Sequence, residues 1–154
     1  MSTLFALALA AAPAPPAGLP DPPRVDLTLT GADAFRNGNQ TLFRLRVELD
    51  NRTGREVVAR SNCGSAFDGL QVVVRDAAGK ELARQSVAYH KSPFAEAVRC
   101  PLPPGKTRDT VTALVDLPAE ARTLRVSVYG TLPQSGIDDL LLTDVLPVTV
   151  RPNP

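Results

Sequence analysis

Tryptophan is absent from this chain, methionine occurs only as the first residue, and histidine occurs once, at His90. Each shortage removes a class of chemistry. Copper held by thioethers is excluded for want of methionine. A zinc site needs three or four ligands, and Cys63, His90 and Cys100, with 26 and nine residues between them, fit no zinc pattern. A Ser/His/Asp arrangement would have to use His90, one of several serines and Asp68, and there is no G-x-S-x-G turn to present the serine. Cys63-Gly64-Ser65-Ala66 has alanine where a papain-type nucleophile would stand. No catalytic residue, no metal ligand and no cofactor is therefore expected. Aromatics are scarce, five Phe and two Tyr, and 17 basic residues spread along the chain nearly balance 16 acidic ones. A nucleic-acid binder needs a basic stripe, ideally with aromatics to stack on, so no nucleic-acid partner is expected. No apolar run is long enough to span a bilayer as a helix.

What is present begins with Leu4 to Ala12, an apolar run of signal-peptide length with small residues at Ala8, Ala10 and Ala12. Residues 1–12 read as a signal peptide, although no Lys or Arg precedes the run, which leaves open a start further upstream. Residues 13–23 (PAPPAGLPDPP) form a Pro-rich linker, extended and solvated because proline removes backbone donors. The expected location is periplasmic or secreted. In that oxidising space the two cysteines, Cys63 and Cys100, are expected to form a disulfide. Such a bridge would close a loop of about 37 residues, for which chain entropy gives an upper stabilisation of about 4 kcal/mol.

Residues 24–151 read as one all-β domain. Phe43, Leu45, Val47 and Leu49 alternate with Arg44, Arg46, Glu48 and Asp50, a period of two that a helix would scramble. Further strands are expected within Val25 to Thr30, Glu56 to Arg60, Gly69 to Asp76, Lys80 to Tyr89, Lys106 to Asp116 and Thr123 to Tyr129. A last one lies within Leu140 to Val150, where Pro147 calls for an edge or a bulge. Turn signals at Asn51-Arg52-Thr53-Gly54, Ala77-Ala78-Gly79 and Pro103-Pro104-Gly105 punctuate them. No segment has convincing helical period; Leu117 to Arg122 could make a helical turn, and Ser135 to Leu142 is the other stretch left open. The pattern predicts an immunoglobulin-like antiparallel β-sandwich of about seven or eight strands.

Tyr89 to Leu102 (YHKSPFAEAVRCPL) is long for a hairpin connection, and long connections in compact domains are usually functional or disordered. It supplies a candidate binding loop with Tyr89, His90, Phe94, Val98 and Arg99. Asp138, Asp139 and Asp144 lack the D-x-D spacing of a Ca²⁺ loop and read as a solvated loop. Asn39-Gln40-Thr41 and Asn51-Arg52-Thr53 match the N-glycosylation acceptor, which matters only in a eukaryotic secretory pathway.

From Phe43 to Lys106 the order of features resembles the bacterial proteinase-inhibitor domain of the BsuPI type. The shared features are the alternating strand ending in Asn51 with Thr53-Gly54 after it, the short valine strand, and Phe67-Asp68. The strand through Asp76, then Gly79 with Lys80-Glu81-Leu82, and Leu102-Pro103-Pro104-Gly105-Lys106 continue the likeness. The chain departs from that pattern in lacking a tryptophan near Ala83-Arg84, in two extra residues before the valine strand, and in its cysteines. The resemblance implies an immunoglobulin-like sandwich and inhibition of a protease. The expected function is thus a non-enzymatic, exported protein-binding module with an unidentified protein partner, a protease being one form of it. The alternative is a structural or assembly accessory domain of a cell-envelope complex.

Overall fold

The computed structural model describes residues 24–61, 65–87, 98–132, 135 and 144–152. The expected signal peptide, the linker and Cys63 lie outside them. Among the described residues there are nine strands and one short 3-10 helix, Ala66–Gly69. The strands are β1 (Val25–Asn37), β2 (Gln40–Asn51), β3 (Val57–Ser61), β4 (Leu70–Arg75), β5 (Glu81–Ser86), β6 (Val98–Leu102), β7 (Gly105–Asp116), β8 (Thr123–Gly130) and β9 (Leu146–Pro152).

Alternation decides which face of each strand turns inward. In β2 the side chains of Phe43, Leu45, Val47 and Leu49 are all buried, as are Val111, Ala113 and Val115 of the neighbouring β7. The opposite layer contributes Leu70, Val72 and Val74 from β4 and Leu124, Val126 and Val128 from β8. These residues form one hydrophobic cluster. The ladder runs in the order β5-β4-β8-β9-β1-β2-β7, and it folds over where β9 meets β1 through only three residue pairs, Ala34 to Arg36 against Val150 to Pro152. That contact is parallel, and every other pairing is antiparallel. The sheet β1-β2-β7 thereby faces β9-β8-β4-β5 across the shared core, an immunoglobulin-like sandwich.

Two strands differ from the sequence reading. β1 does not stop at Thr30 but continues to Asn37 through a bulge between Leu29 and Gly31. A Cβ on Gly31 would collide with the Arg46 guanidinium, which crosses this spot to reach Asp33 at 2.8 Å. The second difference is β6, which occupies the last five residues of the segment read as a loop. Cys100 and Leu102 face inward and anchor it against β3. Pro101 lies within this strand opposite Val58, and proline is tolerated in a ladder where its nitrogen faces away from the partner. Pro147 obeys the same rule, since it lies in the half of β9 that pairs with β8 alone.

The turns follow their chemistry. Gly79 takes φ 90°, closing the β4–β5 hairpin while Asp76 accepts from the backbone of Gly79 and, through Oδ1, from that of Lys80. Leu117 to Arg122 forms a turn rather than a helix, held by the Arg36 guanidinium. That group donates to the carbonyls of Leu117, Pro118, Ala119 and Ala121 at 3.1–3.5 Å.

Candidate protein-binding surface

β3 and β6 form a two-stranded ribbon separate from the large sheet. Val57 and Ala59 of β3, with Cys100 and Leu102 of β6, bury one face of it in the common core. The 3-10 helix seats the ribbon's far end. Ser65 Oγ accepts from the Phe67 amide at 3.1 Å, the Phe67 ring is buried, and Ser61 Oγ donates to Asp68 at 2.9 Å. The near end is fixed by Asn51, whose buried side chain joins the end of β2 to the end of β6. Its amide donates to the carbonyls of Arg55 and Leu102, both at 2.8 Å, while its oxygen accepts from the Thr53 amide and hydroxyl. Both amide hydrogens are engaged, so Asn51 is not placed as a glycan acceptor.

The outer face of the ribbon carries Val58 opposite Pro101 and Arg60 opposite Arg99. Both arginines are exposed, and neither makes an ion pair or hydrogen bond among the described residues. Like charges directly opposite on paired strands are unfavourable. Glu56, which precedes β3, is four residues before Arg60, about 13 Å of extended chain. The apolar part of this face is Val58 and Pro101; Val98, opposite Ser61 and in alternation with Cys100, is 49% exposed where the ribbon ends. The surface thus combines apolar area with uncompensated positive charge.

The outer face of β1-β2-β7 is opposite in character. Glu48 is only 5% exposed there, beneath Lys106 Nζ at 2.7 Å and Arg108 Nε at 2.6 Å. Arg52 bridges Asp26 and Asp50, and Arg24 also reaches Asp26. Charge here is neutralised within the sheet, and among the described residues no acidic, His or Cys group is arranged to hold a metal ion. The hydrogen bond from Lys106, then that from Arg108, hold the Glu48 carboxyl below its ordinary pKa of 4.5. Because the folded state favours the anion, Glu48's contribution is complete above the ordinary carboxylate range and disappears as pH falls through the lowered value. Urea midpoints measured from pH 7 to pH 3 are expected to fall less steeply for Glu48→Gln than for the parent.

Of the residues singled out in the sequence, Val98 and Arg99 lie on β6 and belong to this ribbon. Tyr89, His90 and Phe94 lie outside the described residues, as do Asp138 and Asp139. Asp68, the acid available to a hydrolytic triad, is bound to Ser61 instead. Cys100 is buried on β6, and burial pushes its thiol pKa up, partly offset by a hydrogen bond with the Ser61 backbone. Arg60 and Asn51 were not recognised as surface and anchor, because only the β3–β6 register brings residues 60 and 99 together.

No protein-family model and no curated protein matches the sequence. Among solved structures, the chain is similar to a structural-genomics target, SoR45, at 13% identity over 86% of this chain and 90% of that one, with a TM-score of 0.47. It is also similar to the CARDB domain of the PF1109 protein from Pyrococcus furiosus, solved with di-metal ions, at 12% identity over 83% and 93% of the two chains (TM-score 0.36). The human F-spondin reeler domain matches at 12% identity over 82% and 89%, with a TM-score of 0.34. These are likenesses of outline, and the strand pairing is what defines the fold.

Proposed function

We propose that the chain is a non-enzymatic protein-binding module of an exported compartment, and that the β3–β6 ribbon is its contact surface. The observation that carries this reading is the ribbon's outer face, where Arg60 and Arg99 stand beside Val58 and Pro101, a charged and apolar surface that the chain does not compensate itself, with Val98 exposed at the ribbon's end. Exposed apolar area rimmed by polar groups is characteristic of interaction sites. Arginine is among the residues enriched at such interfaces. The proteinase-inhibitor form of the reading comes from the sequence resemblance to the BsuPI-type domain and would make the partner a protease.

Export is supported by the apolar run Leu4 to Ala12. A Cys63–Cys100 disulfide is part of the proposal. Cys100 Sγ interacts with the backbone of Ser61, only two residues before Cys63 in sequence. Protein purified from its exported fraction is expected to show no titratable thiol under denaturing, non-reducing conditions. Two thiols per chain would remove the bridge from the account.

The functional test is affinity capture from the envelope and extracellular fractions of the host, with the parent chain and Val98→Asp run side by side. A partner held by the parent and lost by the variant, with unchanged circular dichroism, is the expected result. If nothing is captured, or if the same protein is captured equally by both, the ribbon is not the contact surface.

A further inference from the structure

Resting on that reading, we infer that the ribbon's partner is an acidic, extended segment of another protein, which adds as a strand beside β3. The argument begins with edges. β3 pairs with β6 alone among the described strands, and so does β6 with β3. A strand paired on one side has unmatched backbone donors and acceptors on the other, the template for strand addition. The two edges are not equivalent. A paired proline is tolerated with its nitrogen away from its partner, so Pro101 removes a donor from the outer edge of β6. Val57 to Arg60 contains no proline, which leaves that stretch of β3 the better template.

The side chains then specify the occupant. In an added strand, residues opposite Arg60 and opposite Val58 would be two apart and would point to the same face as those two. A carboxylate beside Arg60 would lie within reach of both guanidinium groups, since Arg99 stands directly across from Arg60. It would turn an unfavourable like-charge pair into a shared ion pair. The position beside Val58 and Pro101 favours an aliphatic side chain. The recognised pattern is therefore an Asp or Glu and an aliphatic residue separated by one residue, within a stretch of extended chain. A single-stranded nucleic acid would also answer the positive charge, but the ribbon's outer face offers Val58 and Pro101 and no aromatic ring for a base to stack on.

The test is selection of displayed random heptapeptides on the full chain, repeated on the double variant Arg60→Glu/Arg99→Glu. The parent is expected to enrich peptides with an acid two positions from an aliphatic residue. The double variant is expected to bind those peptides at least about tenfold more weakly and to enrich Lys or Arg at the acidic position. Both substitutions are on exposed positions, and circular dichroism checks that the variant folds. Enrichment without charge bias, enrichment unchanged by charge reversal, or no enrichment would each overturn the proposal. So would tighter binding of a single-stranded oligonucleotide that depends on the same arginines. A partner captured by the parent and lost by Val98→Asp, yet insensitive to charge reversal, would sink the acidic strand and leave the binding module standing. If neither a partner nor a peptide is obtained, both fail.

Discussion

Replacing Phe43 by alanine is expected to lower the unfolding free energy by about 4 kcal/mol, near the top of what a single core substitution does. Phe43 is completely buried, and with no tryptophan in the chain it is the largest of the fully buried side chains. Its cross-strand neighbours on β1 and β7 are both alanines, Ala34 and Ala113. The ring therefore occupies space that two small residues leave in the middle of the sheet. Neither neighbour has side-chain length to fill the space if the ring is removed, so the cavity should persist rather than collapse. Phe43→Leu keeps most of the volume and is expected to cost much less, about 1 kcal/mol. Urea unfolding of the two variants checks both the size and the order. Equal small losses would mean that the core rearranges around position 43.

Asn51→Ala is expected to cost about 3 kcal/mol, because it strands several polar groups at once rather than deleting one bond. The Leu102 carbonyl loses its donor in a buried position, and the Arg55 carbonyl and Thr53 amide lose theirs nearby. Asn51→Asp keeps the shape and the acceptor but replaces the amide by an oxygen facing two carbonyls. The anion is disfavoured there, so the aspartate's folded pKa is raised, and only the protonated acid can donate to a carbonyl. The Asp variant should therefore be less destabilised, relative to the parent, at pH 4 than at pH 7. Denaturation at the two pH values decides the matter, and a pH-independent difference would show that the carbonyl contacts are not what Asn51 contributes. Because Asn51 ties β2 to β6, its loss should also weaken binding through the ribbon.

Period-two alternation makes β2, β7 and β8 readable from the sequence, because each buries its apolar set, although Glu48 and Ser127 of the polar set are covered as well. The turn at Gly79 was equally readable, since its positive φ has a strong residue preference. What alternation cannot supply is register. That Arg60 faces Arg99, or that Phe43 lies between two alanines, depends on pairing between residues far apart in the chain. Local signals also misled in two places. The first strand runs on past Gly31 through a bulge, and the segment read as a loop ends in a paired strand that contains Pro101. The chemistry of the candidate surface was only half visible for the same reason. Val98 and Arg99 could be found as part of a long connection, whereas Arg60 gains its meaning from a strand 39 positions later.

The most direct test of the binding surface is a photo-crosslinking residue placed in the intact host, once at position 98 and once, as a control, at position 120, where Glu120 is exposed in the β7–β8 turn. The expected result is one dominant protein adduct from position 98 and none from position 120. Equal adducts from both positions, or none from position 98 when the protein is folded and exported, would contradict the assignment of the β3–β6 ribbon as the surface through which this domain works.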